Sequence, residues 1–277
     1  MSAQILDGKA LSQRIKSEIS GVVKQLAKPP GLGTILVGSD PGSVSYVAGK
    51  HRDCAEVGIT SIRIDLPESA SEKEILDAVA QLNKDANCTG FIVQLPLPAG
   101  VDAQKVLASV DPKKDADGLH PNNLGKLVLD TKTITPCTPK AILRLLTEYK
   151  INLSGKSVLV IGRGTTVGRP LSILLSQKAV NATVTLAHTA TSNLNQLLKD
   201  ADVVIAAIGK PHFVKPVMIK PGAVVIDVGI TRSGAQLLGD VDPAIAEAAS
   251  YFAPMPGGVG PMTRAMLLSN LLELAKA

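Results

Sequence analysis

Ser157-Val158-Leu159-Val160-Ile161-Gly162-Arg163-Gly164-Thr165-Thr166-Val167-Gly168 is the stretch that decides the fold. Its first five residues form a short β-branched and apolar run, the pattern of a strand covered on both faces. The run passes directly into glycines spaced Gly-x-Gly-x-x-x-Gly, one residue longer than the usual dinucleotide fingerprint. Glycines let a backbone come close to phosphate oxygens, and a helix start beyond them offers free N–H donors. A purely structural turn would also use such glycines. Strand before, helix after and a continuing βαβ rhythm favour the dinucleotide reading.

The same rhythm extends outward in both directions. Further strands are expected at 183–187, 203–208 and 224–227, with helices between them. Upstream, apolar periodicity predicts a helix over 11–26, strands at 34–37, 59–66 and 90–94, and helices around Tyr46 to Gly58 and over 72–82. Strands separated by helices of this length require right-handed crossovers and parallel pairing. A helix is expected at 101–110, then a polar, glycine-bearing bridge over 111–135, a helix at 138–149 and a last helix at 261–275. The expected fold is therefore two α/β domains around a cleft, the second a Rossmann-type parallel sheet. Expected boundaries are 1–136, 137–260 and 261–277, the last a helix packing back on the first domain.

The 277 residues are 45% apolar, enough to fill two cores. Twenty-nine basic residues against 24 acidic ones leave +5, spread without any block of like charge, and there are only six aromatic residues. Neither a nucleic-acid surface nor a stacking platform for single strands is supported. Cys54, Cys88 and Cys137 are too widely separated for a local metal site and odd in number, so no metal and no disulfide framework is expected. With no leader-like start and no long apolar span, a cytoplasmic protein off the membrane is expected.

About 20 residues past the glycines, an NAD site usually carries an acid for the ribose hydroxyls. Ala187-His188-Thr189 stands there instead, while Arg163 in the loop can pair bidentately with a 2'-phosphate. NADP is favoured over NAD. Arg163 can also be a solvated charge at a helix entrance, and His188 either a phosphate contact or a local cap.

Tyr46 and Lys50, four apart on a helix, share one face and can enter one pocket. A desolvated lysine there can carry protons near neutral pH. An exposed lysine beside a half-buried tyrosine is nonetheless ordinary on helices. Gln94 ends a strand before Leu95-Pro96-Leu97-Pro98, where its amide can meet a carbonyl or an ammonium, or merely cap the turn. Asp117, in Asp115-Ala116-Asp117-Gly118, is either a turn residue or a carboxylate placed to recognise a ring with an amino group beside an N–H.

These segments resemble, in order, the bifunctional methylenetetrahydrofolate dehydrogenase/methenyltetrahydrofolate cyclohydrolase family. The likeness rests on Ser45-Tyr46-Val47 with Lys50, Val93 to Pro98, Asp115 to Gly118, Pro136 to Pro139, Gly162 to Pro170, Val225 to Gly229 and Pro256 to Thr263. The resemblance implies an enzyme of one-carbon metabolism, a homodimer acting on tetrahydrofolate derivatives with NADP. It implies Lys50 as the principal catalytic group, Gln94 tuning it, Tyr46 stacking near the folate, Asp117 holding the pterin, and Pro256, Gly257 and Gly258 bordering the folate site. It further implies cofactor contacts from Gly162, Arg163, Gly164, Thr165, Thr166, Gly168, His188, Thr189 and Ile230, with Thr263 near the cofactor or cleft. Gly164 replaces a frequent serine and Ala190 a frequent basic residue, both of which weaken 2'-phosphate selectivity. Two other functions compete: a dehydrogenase without useful ring opening, and a non-catalytic NADP-binding regulator.

Overall fold

A computed structural model describes residues 2–234 and 236–276. The chain begins with strand β1 (Gln4–Ile5) and helix α1 (Gly8–Val23), then alternates strands and helices through two compact units. One unit comprises Gln13–Cys137 and Arg264–Ala277; the other comprises Met1–Ser12 and Thr138–Thr263.

In the first of these units, β2 (Gly31–Val37) is buried at every position and lies between β3 (Thr60–Leu66) and β4 (Gly90–Val93), both parallel to it. Gly33 is required there, because a Cβ would stand 2.7 Å from the Cβ of Phe91. Helix α2 (Pro41–Val57) starts where physics favours a start: Asp40 accepts from the Ser43 N–H at 2.8 Å and Pro41 opens the first turn. It stops at Gly58, whose φ of 83° belongs to the left-handed cap. Its inward stripe is Ser43, Val47, Lys50, Cys54 and Val57, so the same helical period that packs valines also turns Lys50 inward.

Helix α3 (Glu72–Lys84) opens with a reciprocal capping box between Ser71 and Glu74 and buries Ile75, Ala78, Val79 and Leu82. Helix α4 (Ala103–Ala108) follows β4. The passage 111–135 is not only a bridge, since it contains helix α5 (Pro121–Val128), capped by His120. That helix is short, and its Pro121-Asn122-Asn123 start and Gly125 are residues that also mark turns. Its start is fixed by Asp115, whose carboxylate accepts from the N–H groups of Gly118, Leu119 and His120 and from Asn123 Nδ2.

The second unit continues from α6 (Cys137–Glu148) through β5 (Ser157–Ile161), α7 (Gly168–Ser176), β6 (Thr183–Ala187), α8 (Leu194–Asp200), β7 (Val203–Ala206) and β8 (Val224–Asp227). A two-strand ribbon, β9 (Thr231–Ser233) with β10 (Gln236–Leu238), precedes β11 (Tyr251–Ala253) and the last helix α9 (Val259–Leu274). Among the described residues, one sheet runs β1-β11-β8-β7-β5-β6, all parallel. Buried Leu159, Val160 and Ile161 in its centre each contribute about 1.5–3 kcal/mol of apolar burial. The first residues belong with this sheet and not with the segment that follows them, because Gln4 and Ile5 pair with Tyr251 and Phe252. From Arg264 onward α9 packs in the other unit, with the Leu274 and Leu271 side chains against Gly90.

Candidate active site

Three side chains converge in the Gln13–Cys137 unit. Lys50 is 6% exposed, and its Nζ donates to Gln94 Oε1 at 3.0 Å and lies 4.5 Å from the centre of the Tyr46 ring. Gln94 is held by β4: its backbone N–H bonds Ile35 O, and its Nε2 donates to Leu95 O at 2.7 Å. The second bond fixes the amide orientation, so the oxygen faces the lysine. Asp117 is half-buried on the turn that Asp115 folds, and Asn270 of α9 donates to Ala116 O and Thr135 O on either side of it. Gly118 must be glycine at φ 73°, with Pro136 N only 2.7 Å from where a Cβ would lie.

Electrostatics set the chemistry. Burial pulls the Lys50 ammonium below the ordinary lysine range, opposed by Asp117 and Cys137 and reinforced by Arg264. Burial likewise raises the Tyr46 phenol and the Asp117 carboxyl above their ordinary values, with Lys50 holding Asp117 back. The group is an amine able to carry a proton, an amide that orients it, an aromatic face and a carboxyl that can meet a polar ring.

The Thr138–Thr263 unit carries a different site. Ile161 pairs with Ala187 on one side and with Ala206 on the other, so β6, β5 and β7 end level and their following loops emerge together. This is the reversal point of strand order, where parallel sheets hold ligands. A cavity of 460 Å³ lies there, lined by Gly162, Arg163, His188, Thr189, Ile208 and Lys210 among others. Each glycine of the loop has its own reason. A Cβ on Gly162 would fall 2.2 Å from Ala207 O, and one on Gly168 would fall 1.9 Å from Gly162 O, whereas Gly164 faces open space. Helix α7 opens without a side-chain cap at Val167, and its first turn is closed by backbone alone, with the Arg169 N–H donating to Gly164 O and the Leu171 N–H to Val167 O. These features fit a dinucleotide pyrophosphate.

Of the sequence candidates, Gly162, Arg163, His188 and Thr189 line this cavity. Gly164, Thr165 and Thr166 are exposed on the rim loop, Gly168 is buried beneath it, and none of these four is among the lining residues. His188 accepts from the Ala190 N–H through Nδ1, a local cap that leaves Nε2 to donate outward. Ile230 is 56% exposed, and the Thr263 hydroxyl lies 3.2 Å from both Thr138 Oγ1 and Val259 O. The Pro256–Gly258 loop abuts the start of α1, where a Cβ on Gly8 would meet Gly258 O at 1.8 Å.

Sequence reasoning did not find Thr191, Leu194, Lys210 and Phe213 in the cavity wall. It also missed Asp240, fully buried, which accepts from the N–H groups of Ile208, Gly209 and Lys210 and so shapes that wall. Asp227 in turn accepts from the N–H groups of Asp240 and Val241. Only Gly239 beside Asp227 and Gly229 beside Asp240 could have hinted at this, since a Cβ at either would strike the carboxyl.

A Rossmann-type nucleotide unit, together with a unit that buries a lysine amine against an amide, defines a nicotinamide-dependent enzyme of the two-domain α/β class. Comparison with known families specifies it further. The tetrahydrofolate dehydrogenase/cyclohydrolase catalytic domain matches residues 6–117 and the NAD(P)-binding domain of the same family matches residues 136–277, so the chain belongs to that family. It is similar to the bifunctional methylenetetrahydrofolate dehydrogenase/cyclohydrolase of Campylobacter jejuni, at 40% identity over 99% of each chain with a TM-score of 0.95. A 5,10-methylenetetrahydrofolate dehydrogenase from the silkworm Bombyx mori shares 38% identity over 99% of this chain and 98% of its own, with a TM-score of 0.94. The Trypanosoma brucei dehydrogenase-cyclohydrolase, solved with NADP and an inhibitor, shares 35% identity over 100% of this chain and 98% of its own, with a TM-score of 0.95. The protein is thus an enzyme with dehydrogenase and cyclohydrolase activity on a tetrahydrofolate one-carbon derivative.

Proposed function

We propose that the enzyme oxidises 5,10-methylenetetrahydrofolate to the 5,10-methenyl cation with NADP, and then adds water to give 10-formyltetrahydrofolate and a proton. The observation that carries this reading is the buried Lys50 amine bonded to Gln94 at 3.0 Å in a chain that also bears the nucleotide cavity. The bound nicotinamide supplies the hydride acceptor. Gly162 and the open face of Gly164 accommodate its pyrophosphate, while Arg163 and His188 Nε2 favour a 2'-phosphate in the absence of an acid at that strand end.

In the second step, the Lys50 amine takes a proton from the water that attacks the methenyl carbon; the proton of the added hydroxyl then passes to ring nitrogen 5 as its C–N bond breaks, leaving the formyl group on nitrogen 10 and one proton released. Gln94 keeps the amine aimed, Tyr46 packs the folate and Asp117 bonds the pterin. The border supplied by Pro256, Gly257 and Gly258 belongs to the same reading, as do Thr165, Thr166, Gly168, Thr189 and Ile230 toward the cofactor. Family membership also supports a cytoplasmic homodimer that engages neither nucleic acid nor membrane. Among the described residues no helix is long and apolar enough to cross a membrane, and the net charge is only +5.

The test supplies purified protein with 5,10-methylenetetrahydrofolate and either NADP or NAD, following reduced nicotinamide and 10-formyl product together. Methenyl product that accumulates and opens no faster than in buffer would replace this reading with a dehydrogenase alone.

A further inference from the structure

One charged cluster beside the lysine remains without a role. Asp53, 5% exposed, lies on α2 three residues past Lys50. It faces two cations: Lys16 Nζ of α1 at 3.0 Å and Arg264 Nε of α9 at 2.7 Å. Lys16 has a second partner in Glu56, which offsets its charge, whereas Arg264 brings its charge to the Lys50 side of the helix. The guanidinium also rests on the backbone just before Lys50, for a Cβ on Gly49 would stand 2.7 Å from Arg264 Nη1. Glycine at 49 is what permits this approach.

We infer that Arg264 is a positioning residue for the ring-opening step: through Asp53 and the Gly49 backbone it fixes the α2 turn carrying Lys50 and sets a permanent positive charge beside that amine. The inference rests on the assignment of Lys50 as the proton carrier. The other groups acting on Lys50 are Asp117, Cys137 and Cys54, which favour its charged form, with Gln94 and the Tyr46 ring in contact and His51 one residue along the helix. Arg264 opposes Asp117, Cys137 and Cys54, and burial acts in the same sense as Arg264. Removing it therefore makes the amine harder to deprotonate.

The experiment measures the pH dependence of methenyltetrahydrofolate hydrolysis by the full-length parent, Arg264→Leu, Arg264→Lys, Gly49→Ala and Lys50→Met. In Arg264→Leu the ascending limb should move to higher pH by about one unit, roughly tenfold in rate on the acidic side. Arg264→Lys should restore most of that position, and KM for NADP should not change. Gly49→Ala, which displaces the guanidinium while keeping it, should move the limb in the same direction and gives the reading if Arg264→Leu does not fold. A uniform loss of rate at every pH with the limb unmoved overturns the role of Arg264, provided that Lys50→Met has lost hydrolysis. Hydrolysis retained by Lys50→Met overturns the assignment of Lys50 itself.

Discussion

Lys50→Met separates chemistry from folding more cleanly than any other single change. Methionine approximates the length and volume of the lysine stem, so the inward stripe of α2 between Val47 and Cys54 stays filled. Two opposing terms act on stability. Gln94 Oε1 loses its donor at 3.0 Å, which costs about 1–3 kcal/mol if nothing replaces it. Against this, a group only 6% exposed no longer has to be stripped of water. The two offset, and the melting temperature should move by only a few degrees. Rate behaves differently: losing a positioned proton carrier costs roughly 10²–10⁴-fold, or about 3–5.5 kcal/mol of barrier. The assay follows the loss of methenyltetrahydrofolate absorbance, with NADP titration as the check that the nucleotide unit is intact. A variant that melts like the parent, binds NADP and still opens the ring within tenfold of the parental rate would refute the reasoning.

Other expectations follow from the same geometry. Asp117→Ala should raise the dissociation constant for folate at least tenfold and depress both activities, and unchanged folate affinity in a binding titration would leave this carboxyl as a turn residue only. Arg163→Ala should lower kcat/KM for NADP by roughly tenfold while leaving NAD nearly untouched, and a parent enzyme that uses both cofactors equally would remove the argument. Burial pushes the Asp227 carboxyl up to about 7, from an ordinary value near 3.8. The folded protein thus binds this proton more tightly than the unfolded chain, and its contribution to stability falls as pH rises from about 4 through 7. Asp227→Asn should flatten that decline in denaturant titrations at pH 5 and pH 8; equal slopes for variant and parent would contradict it.

How far the sequence reaches differs by element. Strand β5 and its glycine turn could be read directly, because a fully covered parallel strand is an unbroken Val/Ile/Leu run and a phosphate loop needs glycine where the backbone crosses itself. Helical period, a local property, singled out Tyr46, Lys50, Cys54 and Val57; the last three lie on the buried stripe, where Val47 and not the half-buried Tyr46 completes it. Helix α5 was hidden by its shortness, by the turn-forming Pro121, Asn122, Asn123 and Gly125, and by a start that depends on a clasp from Asp115. Two residues of β1 carry too little pattern to announce that they pair with β11, 247 positions away.

The same division holds for the active site. Lys50, Tyr46, Gln94 and Asp117 could be named as candidates from residue type, spacing and family resemblance, but not the amide oxygen turned toward the amine, nor the desolvation that loosens the amine's hold on its proton. Asp240 and Arg264 were missed for one reason: each acts on a partner distant in sequence, and the residues beside it in the chain do not say which group its charge will meet. Local periodicity and backbone stereochemistry determined the strands, the main helices and the glycine loop. Burial, hydrogen-bond direction and the company each charge keeps were decided only when long-range packing brought the segments together, because those energies depend on the dielectric and the neighbours that the folded chain supplies.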